Sequence, residues 1–347
     1  MNKYTLKMFD PPKKDSFLIY LKKNDYYEKN LEKIRYLRNF MQSSLHYRYQ
    51  FSRIHSDKDK KPYFWVTKLE SEQVSVIFQN LEKQMKEFNS WMNSLEGTNK
   101  KRIMLRVGID MGYQREGKRL GALGPIFPDN RFEYIPIPED AQSTEKMTYR
   151  TKRGRLGYPL SNYLPHEELY DLKLHNDPDF KARTYGDPTS PKRWILTHLS
   201  KNDWVVFFVG LTPWKNVSQR QNSYNQDHLF IIGYFVLKEN PIDFNKLPRN
   251  QLDQIIQTID NTHMKRINPD FSNLIIIRGK KRSRLLKNAI KLSENKKSQK
   301  QYPRIIEKQL ANALSIPRIN ITRSGTPIII HSRKGRIYLR KLLRNAK

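Results

Sequence analysis

The segment HNDPDF, residues 175–180, sets an imidazole and two carboxylates within five positions. In extended backbone, alternate residues project to one side, so His175, Asp177 and Asp179 could converge. An imidazole with carboxylates suits a divalent metal, or a general base steered by an acid. An Asx-Pro turn carrying a surface histidine accounts for the same letters. A second candidate is Asp110, which ends the run RIMLRVGIDMG (102–112). A carboxylate at a strand end can share a metal ion with neighbouring acids, which makes Asp110, Asp177 and Asp179 a candidate metal set. Asp110 also suits a strand that simply enters a turn. Arg106, on the same run, could grip a phosphate in bidentate fashion or pair with an acid.

Other histidines read differently. His228 and His263 fall in predicted loops, and His198 on a predicted helix, where packing or capping is the simpler role. No cysteine is present among the 347 residues, which excludes disulfides, thiolate nucleophiles and cysteine-ligated metal.

These residues need a scaffold. Short apolar, β-prone runs bounded by polar clusters, such as IMLRVGI (103–109), WVVFFVGL (204–211) and LFIIGYFVL (229–237), read as buried strands. PKRWILTHLS (191–200) and LDQIIQTI (252–259) read as helices, and NLIIIRG (273–279) and TPIIIHS (326–332) as strands. Residues 111–190 hold much of the Pro and Gly and read as either a long functional loop or a disordered stretch. The fold class is therefore α/β or α+β, a mixed central sheet with flanking helices. Three regions follow: a mainly helical 1–100, a central 101–272 and a strongly basic 273–347 that could complete the central domain.

In the first region, Tyr27, Leu31, Ile34, Leu37, Met41 and Leu45 recur at helical spacing, and PYFWVT (62–67) reads as one short strand. Val74, Ile77, Leu81, Phe88, Trp91 and Leu95 form another apolar stripe, which could pack internally or, through residues 70–96, against a second copy or a partner helix. In the last region, Leu285, Leu286, Ala289 and Ile290, then Ile305, Ile306, Leu310, Ala313 and Leu314, suggest two basic amphipathic helices.

Charge narrows the partner. The formal net charge is +31, and residues 273–347 alone carry +19. A surplus of that size calls for a polyanion, with DNA first, RNA second and an anionic membrane surface third. YRTKRGRLGYP (149–159) offers Arg150, Lys152, Arg153 and Arg155, and RGKKRSRLLK (278–287) offers Lys280, Lys281, Arg282 and Arg284, as phosphate contacts. Aromatics interleave with the basic residues at 149–159 and in HYRYQFSR (46–53), as base stacking needs. No apolar run approaches the roughly 20 residues of a membrane span, no signal-peptide pattern opens the sequence, and a cytoplasmic protein is expected.

RVGID (106–110), GPIFPDNRFEYIPIPED (124–140), HNDPDF, ILTHLSKNDWVVFFVGL (195–211) and FIIGYFVL (230–237), in this order, resemble the nucleotide modification associated domain 3 family. The resemblance spans about 102–265. Arg106, Gly108, Asp110, Pro125, Ile126, Ile135–Pro138, His175, Asp177, Pro178, Asp179 and Asp203 fall on the family's motifs. Ile109, Met111, Gly124, Asn202 and Val209 depart from them, and Gly124 replaces a serine that could have been a nucleophile. The resemblance implies a setting in base modification of DNA, as an enzyme or a subunit of such a system, with Arg106, Asp110, His175, Asp177 and Asp179 near the site. A metal-dependent nuclease and a non-catalytic nucleic-acid-binding protein are the alternatives.

Overall fold

In this computed structural model the chain forms two compact units, Met1–Asn99 and Lys100–Lys347. The structure describes most of 100–108, 123–214, 227–295, 304–316 and 327–346, the strands Tyr113–Arg115, Lys118–Leu120 and Asn320–Ile321, and in the first unit five strands and a few helical positions.

The first unit holds more strand than its sequence pattern predicts. Tyr4–Lys7, Ser16–Leu21, Pro62–Lys68 and Tyr49–Phe51 form an antiparallel sheet in that order, with His55–Ser56 also paired to Pro62–Lys68. Most of the two stretches expected to be helical, 26–50 and 70–96, lies outside the described residues. The helical stripes retain described positions: Leu37 and Met41 on one, and Leu81 on the other, are helical and fully buried. The rest of 70–96, and with it the dimerising surface, lies outside the described residues apart from Gln79 and Lys83.

The second unit is an α+β fold around a mixed six-stranded sheet. Its strands here are β1 (Arg102–Arg106), β2 (Gly124–Ile126), β3 (Ile137–Pro138), β4 (Leu174–His175), β5 (Thr184–Asp187), β6 (Trp204–Pro213), β7 (His228–Val236), β8 (Ile242–Asp243), β9 (Ile275–Arg278), β10 (Arg284–Lys291), β11 (Ser293–Asn295), β12 (Arg304–Ile306), β13 (Asn320–Ile321) and β14 (Ile328–Ile329). The described helices are α1 (Ser190–Thr197), α2 (Arg249–Thr258), α3 (Lys308–Leu314) and α4 (Arg333–Asn345).

The central sheet runs β10-β7-β6-β1-β14, with β2 continuing alongside the far end of β6. β6 is parallel to β1 and β2 and antiparallel to β7. Residues 204–212 of β6 are all buried, as expected of a central strand covered on both faces. Around it, Phe180, Phe207 and Phe235 meet edge to face at ring separations of 4.8–5.7 Å. A smaller antiparallel sheet, β5-β9-β8, and a two-stranded ribbon, β3-β4, carry the site described below.

The basic C-terminal segment is part of this core. Leu286, Leu292, Ile306, Leu310, Leu314, Leu339 and Leu343 pack with Met104, Val206 and Ile231. Residues 284–291 are a strand, not the expected helix. The register opposite β7 moves from Gly233–Leu285 to Ile231–Ile290, so the edge strand bulges by several residues. That bulge lets Leu286 and Ala289, three apart, both turn inward and imitate helical spacing. The second expected helix begins only at Lys308, where the Glu307 carboxylate accepts from the amides of Gln309 and Leu310 at 2.9 and 2.7 Å. Ile305 and Ile306 precede it, in β12.

Candidate metal centre

The central part of 111–190 is loop-rich but tightly tied. Tyr149, Leu160, Tyr163, Leu169 and Leu174 bury a small core of their own. From it emerges β4, paired with β3 so that His175 stands opposite Ile137. Glu139, just beyond β3, is thereby brought to His175, and its Oε2 lies 2.7 Å from His175 Nδ1. The Glu139 side chain is fully buried, and Arg266 donates to its Oε1 from Nε and Nη2 at 3.1 and 2.9 Å. Burial pushes the Glu139 carboxyl up, but the bonds and charges of His175 and Arg266, with the Ala141 amide, outweigh it and hold the group down at about 2. Glu139 is thus a carboxylate that fixes the imidazole through Nδ1 and leaves Nε2 facing the other way.

Asp177 follows His175 and is equally buried. The Tyr134 hydroxyl donates to its backbone carbonyl at 2.9 Å, and the Asp177–Pro178 peptide is cis. Its carboxylate is held from two sides. The Gly186 amide on β5 donates to Oδ2 at 2.9 Å, and Asn261 Nδ2 approaches Oδ1 at 3.4 Å. Asn261 also caps the short 3-10 turn Thr262–Lys265, accepting from the His263 amide at 3.0 Å. That cap aims His263 inward: its Nε2 lies 3.4 Å from Asp177 Oδ2, while His175 Nε2 lies 3.9 Å from the same oxygen. The two imidazoles meet edge to face at 4.7 Å.

One ligand atom from each of His175, Asp177 and His263 lies within 4.8 Å of the others, in a group that could hold a metal ion. His263 Nε2 is buried without a hydrogen-bond partner, a costly state that a metal would relieve. Gly186 is required here: a Cβ at that position would stand 2.7 Å from His263 Cδ2. The cluster opens on a cavity of about 350 Å³, which Val107, Gly108, Tyr185, Asp187, Lys192 and Arg266 help to line. Also lining it, the Tyr185 hydroxyl donates to Asp187 Oδ2 at 2.6 Å, and Lys192 Nζ lies 3.2 Å from the same oxygen. Burial, then the charges of Asp187 and Asp177, raise the Tyr185 phenol well above its ordinary value, so it stays protonated.

The residues singled out in the sequence divide. His175 and Asp177 meet in the cluster. Asp179 does not join them: the chain turns at 178–183, and its carboxylate accepts from the amides of Lys181 and Ala182 and from Asn176 Nδ2. Asp110 lies outside the described residues, two positions beyond Gly108, whose φ of +90° and place in the cavity wall mark where β1 leaves the sheet. Arg106 is only 4% exposed and is not among the residues lining the cavity.

Of the expected phosphate contacts, Arg150 pairs with Asp171 at 2.7 and 3.0 Å. Arg153 donates to the Gly157 carbonyl, Arg155 to Leu286 and Lys280 to Asn202. Lys152 and Lys281 line separate surface cavities, while Arg282 and Arg284 line a third together. Sequence reasoning missed His263, Glu139, Arg266 and Asn261. His263 and His175 are 88 residues apart, and no spacing connects them. The usable signal was scarcity: without cysteine, a nitrogen-ligated metal must draw on the eight histidines, only some of which lie in the central region.

Among the described residues, no helix is long and apolar enough to cross a membrane. No curated protein and no solved structure shows significant similarity to the chain. The family model described as nucleotide modification associated domain 3 matches residues 101–325, which contain the whole cluster and continue into the basic C-terminal segment. The chain belongs to the nucleotide modification associated domain 3 family.

Proposed function

We propose that the protein is a metal-dependent enzyme that modifies bases of nucleic acid, DNA before RNA, and that His175, Asp177 and His263 hold the metal. The observation that carries this reading is the buried orphan Nε2 of His263 beside a carboxylate and a second imidazole. The Glu139–His175 bond supports it, because histidine ligands commonly give their other nitrogen to a carboxylate. Two imidazoles and one carboxylate favour iron(II), zinc or a neighbouring transition metal over magnesium, which prefers oxygen donors. Such a set leaves positions for water or substrate, and the metal would act as a Lewis acid or redox centre.

This chain's own residues set the rest. Gly186 and Asn261 orient Asp177, Glu139 and Arg266 orient His175, and Lys192 adds a cation to the cavity lining. The cavity is within the range of small-ligand pockets, about 300–1,000 Å³. A base in a duplex would have to leave its stack to enter it. A nuclease resting on Asp110, Asp177 and Asp179 is less well supported, because Asp179 is occupied in its turn.

The test is mass spectrometry of nucleosides from DNA of cells expressing the wild type or His263→Ala. The expected result is a modified nucleoside present with the first and absent with the second. Identical nucleosides from both, with the wild-type protein shown to be folded and expressed, would contradict the reading.

A further inference from the structure

A second site lies at the other end of β1. A cleft of about 410 Å³ is lined by Lys100, Arg102, Arg282, Arg284, Arg340 and Arg344, around Trp204 and Tyr234. Six cations line it and no acid does. They come from the start of β1, the approach to β10, β10 itself and the last turns of α4, segments far apart in sequence.

An aromatic pair organises them. Trp204 and Tyr234 stack at 5.0 Å and 11°. The guanidinium of Arg102 sits 5.2 Å from the Trp204 ring centre and that of Arg282 sits 5.9 Å from it. Both rings are more than nine-tenths buried, so their faces are spent on each other and on these cations. Nε and Nη1 of Arg102 are buried without a hydrogen-bond partner. Burial lowers the Arg102 pKa, and the charges of Arg336, Arg340 and Arg282 lower it further, against Asp203. Asp203 is the nearby acid, and its carboxylate already accepts from the amides of Lys101 and Ser200 at 2.8 Å. Crowded cations with unmet donors are stable when an anion with several acceptor oxygens enters, and guanidinium matches phosphate best.

We infer that this cleft binds phosphate groups of a nucleic-acid backbone, separately from the metal centre. Buried rings leave little face for a base, so recognition should be by phosphate and independent of sequence. An anionic membrane is the poorer fit, because the cations line a concavity rather than a convex face. The inference shares with the proposed function only the polyanionic partner, and it survives loss of metal binding.

The experiment is fluorescence anisotropy of a labelled single-stranded oligonucleotide and of a duplex, with full-length wild type, the exposed double variant Arg340→Glu/Arg344→Glu, and a charge-matched control, Lys287→Glu/Lys308→Glu, away from the cleft. Circular dichroism establishes that all three are folded. We expect R340E/R344E to weaken binding by at least about tenfold and to reduce the slope of log K against log salt by about 2, with the control changing both far less. Adenosine triphosphate, tested in the same way, separates sources. If it binds as tightly as the oligonucleotide and is lost in the same variant, the phosphate is that of a free nucleotide and the backbone assignment falls. Equal loss in variant and control overturns the cleft, as does tighter binding to phosphatidylglycerol vesicles than to either oligonucleotide.

Discussion

The two ends of β1 handle charge in opposite ways. Where the strand leaves the sheet at Val107 and Gly108, acids and bases interleave around the cavity: Glu139 pairs with Arg266 and Asp187 with Lys192, and Asp177 lies beside two imidazoles. Where the strand begins, about 17 Å away at the usual strand rise, Arg102 heads a cleft lined by six cations and no acid. Buried paired groups such as Glu139 with Arg266 hold a fixed geometry around the one unmet nitrogen, His263 Nε2, which chemistry at a metal would need. The cations of the cleft meet an aromatic ring and backbone carbonyls but no lining carboxylate, which leaves their charge unbalanced. One strand therefore joins a region where acids and bases interleave to one of unbalanced positive charge.

Phe207 sits midway along β6 and should break both ends together. It is fully buried and touches the rings of Phe180, Tyr185 and Phe235. Phe207→Ala should cost about 3–5 kcal/mol in chemical denaturation and lower metal and oligonucleotide binding in parallel. Loss at one end alone would show that the ends do not share a folding unit. Gly186→Val should be sharper. Its side chain would displace His263, so metal binding should fall by about 100-fold or more while oligonucleotide affinity stays within about twofold of wild type. Glu139→Gln should act in the same direction but more weakly, about 10–100-fold in metal affinity, because it removes a support and not a ligand. Isothermal titration with iron(II) or zinc reads both.

The smallest effect belongs to neither end. Burial, then the charges of Lys291 and Arg304, lower the His228 imidazole to about 4 from an ordinary 6.5. Between those values the unfolded chain binds a proton that the folded chain refuses. Stability present above pH 6.5 should therefore decline as pH falls toward about 4. Urea unfolding at pH 7 and pH 5 should show this decline, and His228→Gln should make it shallower. An unchanged slope would remove His228 as its source.

What the sequence disclosed follows the same division. The buried strands were legible because β6 and β7 are continuous apolar runs, and α1 and α2 because their faces alternate at helical period. Residues 284–291 were misread since a bulge set Leu286 and Ala289 three apart. In the first unit, short strands such as Tyr4–Lys7 and Tyr49–Phe51 carry too few residues to display a period. At the site, His175 and Asp177 were visible as neighbours in one motif. Asp179 was included because alternation was assumed to continue, and the turn at 178–183 ended it. His263, Glu139 and Arg266 arrive from distant segments, so only the fold brings them together. The cationic cleft was half visible: Arg282 and Arg284 lie in an obvious basic run, whereas Arg102, Arg340 and Arg344 depend on how β1 and α4 pack.

Metal binding by the His175–Asp177–His263 cluster is the central claim, and metal content measures it most directly. Wild type, His263→Ala and Asp179→Asn would each be loaded with iron(II), manganese(II) or zinc(II), desalted and assayed by inductively coupled plasma mass spectrometry. About one equivalent of a transition metal is expected in wild type and in D179N, and loss in H263A. No retained metal in wild type, or loss in D179N with retention in H263A, would contradict it.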